Sequence, residues 1–176
     1  MKQLPTITDR IVFKNPQFAD HEEYTKRVTV KAIVKNSEDK FAFITSDRHG
    51  MYLLPGGGAD SDNLTQEISR ECMEEINYSI TNISELATIS ELRNREAKEY
   101  STVCFIADAQ DKIEGDFRTE SEKVNNIRVE WFDREEVSSI LEKQIKVLDS
   151  GNFDFYNIAF NVVRDHMFWN EYLGSN

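Results

Sequence analysis

Residues 56–78 read GGGADSDNLTQEISRECMEEINY. It opens on Gly56, Gly57 and Gly58, three of only seven glycines in a chain of 176 residues. Tyr52-Leu53-Leu54-Pro55 leads in, and an acidic loop over residues 59–63 leads out into a helix over about residues 64–76. At about 100° per residue, Leu64, Ile68, Cys72 and Ile76 form one apolar stripe. Glu67, Glu71, Glu74 and Glu75 gather on the adjoining arc, with Glu75 on the apolar face and Glu71 and Glu74 at its edge.

Such a helix is costly without a cation. Like charges four residues apart oppose each other by about 0.2–0.5 kcal/mol at a surface, and an unpaired buried carboxylate costs several kcal/mol. A hard divalent ion reverses the sign, because magnesium takes oxygen ligands and keeps places for water and phosphate. Arg70, one residue before Glu71, can hold a carboxylate in its fork. The glycines lack Cβ atoms, so their N–H groups can approach phosphates or hold the start of the helix. Glutamates on a helix usually mean a solvated face, and a glycine triplet alone is usually a turn. The conjunction of Pro-Gly-Gly-Gly, an acidic loop and Arg-Glu-x-x-Glu-Glu on one amphipathic helix points to metal and phosphate.

Outward from this stretch, strands alternate with helices. Residues 27–35 (RVTVKAIVK) place Val28, Val30, Ala32 and Val34 on one face of a strand. Residues 41–45 (FAFIT) make a second strand, hairpinned to the first, and residues 51–54 a short apolar one. Residues 10–14 read as a short strand. Residues 78–95 are mostly extended, and residues 100–109 (YSTVCFIADA) give the clearest strand of the chain. A charged loop over residues 110–126 precedes a strand at residues 127–132, and Asp133 can cap a helix running to about Lys146. After Gly151 a last helix over residues 153–172 carries Phe153, Tyr156, Phe160, Val163, Met167 and Tyr172 at helical spacing, suited to core packing or to the face of a homodimer. The pattern predicts an α/β sandwich.

Composition narrows the function. Lys plus Arg is 21 and Asp plus Glu is 32, a formal net charge of −11. That argues against nucleic acid as a partner and against an anionic membrane surface. The 39% of hydrophobic residues suffices for a packed core, but no apolar run approaches the roughly 20 residues of a membrane span. Two cysteines, Cys72 and Cys104, with no secretory segment before them, indicate a reducing, cytoplasmic setting. The three histidines show no zinc-ligand spacing. From Ala59 to Glu75 six acids (Asp60, Asp62, Glu67, Glu71, Glu74, Glu75) face one base, Arg70. Nearly half of the acid excess is therefore local.

The segment resembles the Nudix box: Gly, five residues, Glu, seven residues, then Arg-Glu-apolar-x-Glu-Glu-x-Gly-apolar. Counting back from Arg70 puts the Gly at Gly56 and the first acid at Asp62, and Tyr78 takes the last apolar place. Asp62 is one methylene shorter than the usual Glu. Alignment on Gly57 instead would leave the loop one residue short. Asn77 stands where the box has Gly, and Asn tolerates a left-handed backbone better than most residues.

The resemblance covers about residues 27–145 and implies an α/β/α sandwich with a mixed central sheet and a C-terminal helix. Residues 1–26 are then an N-terminal extension packed on the domain, residues 27–148 the hydrolase domain, and residues 149–176 its C-terminal helical segment. It implies hydrolysis of a nucleoside diphosphate linked to another moiety. Glu71, Glu74 and Glu75 would carry magnesium or manganese, and Arg70 would orient a glutamate. Gly56, Gly57 and Gly58 would meet the phosphates. A further metal ligand or the base would come from the acidic loop, with Glu120 a candidate ligand and Glu122 a candidate base. Arg93 and Arg95 interrupt the acidity past the box and are candidate substrate contacts.

The markers of particular subfamilies are missing, so a nucleoside-triphosphate-type substrate remains by elimination. An ADP-sugar or dinucleoside-polyphosphate hydrolase is the neighbouring reading. A Nudix-fold nucleotide sensor without turnover is the reading from another class, but it would lack box glutamates, and all three central ones are present. An isomerase of the same superfamily would need further catalytic Cys and Glu positions, and Cys104, the only spare cysteine, falls in a strand that reads as core.

Overall fold

The computed structural model describes residues 2–118, 120–151 and 155–175, with the side chains of residues 121 and 122 left aside. Two-residue strands β1 (Lys2–Gln3) and β2 (Ile7–Thr8) precede a one-turn helix α1 (Asp9–Val12). Next come β3 (Thr25–Lys35) and β4 (Phe41–Thr45), then α2 (Leu64–Ile76) and β5 (Tyr78–Arg93). A 3-10 turn (Asn94–Glu96) joins β5 to β6 (Lys98–Lys112). The short α3 (Glu120–Val124), β7 (Arg128–Phe132), α4 (Arg134–Asp149) and α5 (Tyr156–Ser175) complete the chain.

The described strands form one seven-stranded mixed sheet in the order β1-β5-β6-β3-β4-β7, with β2 also on β5. β3 runs parallel to β6, while β5–β6, β3–β4 and β4–β7 are antiparallel. α2 packs against β3, β4, β5 and β7, and α5 packs against β5, β2, α1 and α4. Both faces are thus covered, which is the α/β/α sandwich expected. It also explains β3, where Val30, Lys31, Ala32, Ile33 and Val34 are all buried, so alternation gives way to a continuous run. α5 turns Phe160, Phe168 and Trp169 inward, and Phe41 meets the Trp169 ring edge-on at 4.9 Å. Phe153 lies outside the described residues.

Three local expectations are corrected. Residues 10–14 do not form a strand. Asp9–Val12 is a helical turn, because Asp9 is buried and accepts from Tyr156 Oη at 2.6 Å and from Asn94 N–H at 3.1 Å. Residues 51–54 contribute only one bridge, Leu53 to Ile44. The charged loop is shorter than expected, since β6 continues to Lys112 and α3 forms within it.

Where β3 and β4 diverge beyond the Lys35–Phe41 pair, residues 53–59 fill the gap. Leu53 exchanges backbone bonds with Ile44 at 2.8 and 2.9 Å. Pro55 O accepts from Ala32 N–H at 3.0 Å, Gly57 O from Val30 N–H at 2.9 Å, and Ala59 N–H donates to Val28 O at 3.1 Å. The glycine stretch is therefore laid along β3 like a short extra strand.

Candidate active site

α2 starts and stops where local chemistry dictates. Asn63 caps it, its side chain accepting from Gln66 N–H at 3.2 Å. Asn77 ends it with φ +57, the left-handed conformation that the box glycine would take. Ile68, Cys72 and Ile76 point into the core.

On the same helix Arg70 gathers the acids. Its guanidinium donates to Glu67 at 3.0 Å, Glu71 at 2.7 Å and Glu74 at 2.9 Å, and reaches Gly58 O at 3.3 Å. Ser61 Oγ donates to the other oxygen of Glu67 at 2.6 Å. That bond, with Arg70, holds the Glu67 carboxyl below its ordinary range. Burial lowers the Arg70 pKa, but the hydrogen bond to Glu67 and the charge of Glu71 outweigh it and keep the guanidinium protonated. Glu75, on the same helix, accepts from Gly56 N–H at 2.6 Å.

Burial is distributed differently from the helical wheel. Glu67 and Glu71 are each only 7% exposed, while Glu75 is half-buried. The wheel puts Glu75 on the core face, but it sees only α2 and not the glycine stretch lying over Glu71. A Cβ on Gly57 would stand 2.6 Å from Glu71 Oε2, so only glycine leaves that carboxylate its place. At Gly56, φ is +128 and a Cβ would collide with Val30 O. A Cβ on Gly58 would meet the Arg27 guanidinium. Of the two roles open to the glycine N–H groups, the one seen at Gly56 is to hold α2. Burial pushes the Glu71 carboxyl above its ordinary range, against the nearby charges of Arg70 and Lys31.

Other expected site residues lie elsewhere. Arg93 is 4% exposed and donates to Glu91 at 2.9 Å and Asn161 at 2.8 Å, so it belongs to the core and does not face a substrate. Its position just before the 3-10 turn directs it beneath α5. Arg95 is exposed, with its guanidinium 4.5 Å from the Tyr156 ring centre, in a cavity of about 520 Å³ that includes Asp9, Lys14 and Phe18. Glu120 is at the surface, paired with Lys123 at 3.2 Å. The side chain of Glu122 lies outside the described residues. Asp62 is exposed, and the acid that joins Arg70 from the N-terminal half of α2 is Glu67. Lys31 was also missed. It is 7% exposed, and its ammonium donates to Leu54 O at 2.9 Å and to Gly56 O. A lone lysine within the apolar run 30–34 was the available signal.

Among the described residues no three His, Cys, Asp or Glu side chains converge so as to hold a metal ion. Arg70 stands between the carboxylates instead. Their chemistry nevertheless suits a hard divalent cation: the donors are all carboxylate oxygens, Glu71 is desolvated, and the gap at Gly57 opens onto it. Cys72 and Cys104 are buried, which pushes both thiols up and leaves neither a reactive nucleophile. No helix among the described residues is long and apolar enough to cross a membrane.

Comparison with known proteins places this arrangement. No curated protein matches the sequence. Among solved structures the fold is similar to that of a NUDIX hydrolase from Nitrosomonas europaea, at 17% identity and a TM-score of 0.55, over 81% of this chain and 89% of that one. It is also similar to a MutT protein from Bacillus halodurans, at 17% identity and a TM-score of 0.53, over 70% of this chain and 80% of that one. The NUDIX domain model matches residues 25–153, the span from β3 past the end of α4. With the box, the helix and the sheet all in place, the chain belongs to the NUDIX domain family, the pyrophosphohydrolases that act on nucleoside diphosphate derivatives in general.

Proposed function

We propose that the protein is a magnesium- or manganese-dependent pyrophosphohydrolase of a nucleoside-triphosphate-type substrate, cleaving a phosphoanhydride by attack of water on phosphorus. The observation that carries this reading is the convergence of Glu67, Glu71 and Glu74 on Arg70, with Glu75 tied to the glycine turn. Three carboxylates on one guanidinium leave an unbalanced negative site that a divalent cation would complete.

Glu71, Glu74 and Glu75 would hold the ion. Bound there, it would offset pyrophosphate charge and make a bound water more acidic. Arg70 orients Glu71 and Glu74 through separate nitrogens, so the two carboxylates keep a set separation. Gly57 leaves Glu71 room, and Gly56 N–H aims Glu75. Arg27 is exposed and lies against Gly58, and it suits a substrate phosphate.

The test is release of phosphate or pyrophosphate, with magnesium or manganese at alkaline pH, over a panel of nucleoside diphosphate derivatives. Turnover of a nucleoside triphosphate, abolished by Glu75→Gln, is expected. No turnover of any member, or a fully active Glu75→Gln, overturns the mechanism.

A further inference from the structure

The glycine turn is held by two buried charges that lie outside the box. Leu54, just before Pro55 and Gly56, has both backbone groups taken. Its N–H donates to Asp165 Oδ2 at 2.9 Å, and its C=O accepts from Lys31 Nζ at 2.9 Å. The same ammonium donates to Gly56 O, while Gly56 N–H donates to Glu75 Oε2 at 2.6 Å. One peptide segment is therefore clamped from β3, from α5 and from α2 at once.

Neither charge is cheap to keep there. Lys31 is 7% and Asp165 0% exposed, and burying an ion costs several kcal/mol unless its bonds are satisfied. Lys31 donates to two carbonyl oxygens, and its charge also acts on Glu71. A methionine would supply neither the donors that hold these carbonyls nor the charge that acts on Glu71. Asp165 is anchored by Arg164, whose Nε donates to it at 2.9 Å and whose Nη1 lies 3.3 Å from Glu91 in β5. Asp165 also lies beyond residue 153, where the NUDIX match stops. The C-terminal helix thus reaches the turn that faces the glutamates.

We propose that Lys31 and Asp165 are positioning residues: they fix residues 54–56 so that Gly56 N–H meets Glu75 and Gly57 leaves Glu71 its place. The catalytic consequence rests on the hydrolase reading above; the geometric one does not. Without the clamp the turn can shift against α2, and displacement of a site by about 1 Å costs roughly 100-fold in rate.

Three variants of the full chain test this. Lys31→Met keeps the stem and removes the donors, Lys31→Gln restores an uncharged donor, and Asp165→Asn keeps an acceptor for Leu54 N–H. Amide hydrogen exchange is read at Leu54 and Gly56 against β3 and α5, beside kcat and KM. In Lys31→Met, exchange at Leu54 and Gly56 rises about tenfold or more while β3 and α5 stay protected. kcat falls by about 10–100-fold with KM changed far less. Lys31→Gln recovers part of both, and Asp165→Asn shows the smaller effects. Unchanged exchange, exchange raised equally throughout β3 and α5, or a local rise with unchanged kcat overturns the proposal. If Lys31→Met does not fold, Lys31→Gln and Asp165→Asn carry the same readings. If the wild-type protein turns over nothing, the hydrolase reading falls on its own, and the exchange pattern alone decides for or against the clamp.

Discussion

Two clusters of charge border the glycine turn, one through Asp165 at Leu54 and the other through Glu71 at Gly57, and they are built to different rules. In one, Glu91, Arg93, Arg164 and Asp165 are each 4% exposed or less and number two acids to two bases. Every charge there has an opposite partner, and the cluster is sealed. In the other, Glu67, Glu71 and Glu74 share the single Arg70, whose side chain is 35% exposed. A buried network that only supports a fold is neutral, because each unpaired ion would cost several kcal/mol. The cluster around Arg70 is left negative and open, as the proposed cation site requires. Charge balance, more than burial, separates the two.

Breaking the sealed cluster has the largest expected effect on stability. Glu91→Gln leaves Arg93 and Arg164 without their shared acid, and urea unfolding should show a loss of about 3–5 kcal/mol. A loss below about 1 kcal/mol would mean that the network is not the support described. Gly56→Ala comes next, since φ +128 and the contact with Val30 O both oppose a side chain; a loss of about 1–3 kcal/mol is expected from the backbone alone. Gly57→Ala separates the clusters more sharply. Its Cβ presses on the Glu71 carboxylate, so activity should fall by about 10-fold or more while the unfolding midpoint moves little.

Manganese should act on the open cluster only. Thermal unfolding of the wild-type protein should shift upward with ion concentration, by about 2.7 kcal/mol at 100 times the dissociation constant. In Glu71→Gln the shift should shrink, and in Glu91→Gln it should persist on a lower baseline. An equal shift in Glu71→Gln would remove that residue from the ion site.

The smallest effect concerns Glu96, in the 3-10 turn. Burial pushes its carboxyl up, but hydrogen bonds from Asn157 and Arg95 outweigh this and hold it below the usual range. A lowered folded-state pKa contributes stability that is present above the unfolded value and lost as pH falls through the folded one. Asn157→Ala should therefore cost about 1 kcal/mol near neutral pH, and less in acid. An equal cost at both pH values would show that packing, not the carboxylate, is responsible.

Much of the architecture could be read before the structure, for local reasons. The limits of α2 follow from Asn63, the stripe Leu64 to Ile76, and Asn77. Asp133 caps α4, with Glu136 completing a capping box. Residues 78–93 and 98–112 carry the β-branched pattern that pairs them. Where reading failed, the deciding partner was distant in sequence. Asp9 forms a helical turn because Tyr156 and Asn94 bind it. Arg93 is drawn inward by Asn161 and by Glu91 beneath α5.

The candidate site divides along the same line. Spacing alone assembled Glu71, Glu74, Glu75 and Arg70, because residues three and four apart on a helix meet whatever surrounds it. The sequence also required glycine where the turn approaches the helix, though not which glycine serves which glutamate. Long-range contacts make Glu67 and Glu71 the buried acids, give Glu75 the Gly56 N–H, and set Lys31 and Asp165 on Leu54. Those outcomes depend on β3, α5 and the glycine stretch closing on one another across more than a hundred residues. Helical periodicity carries no information about what will cover a face, and burial is a property of the cover.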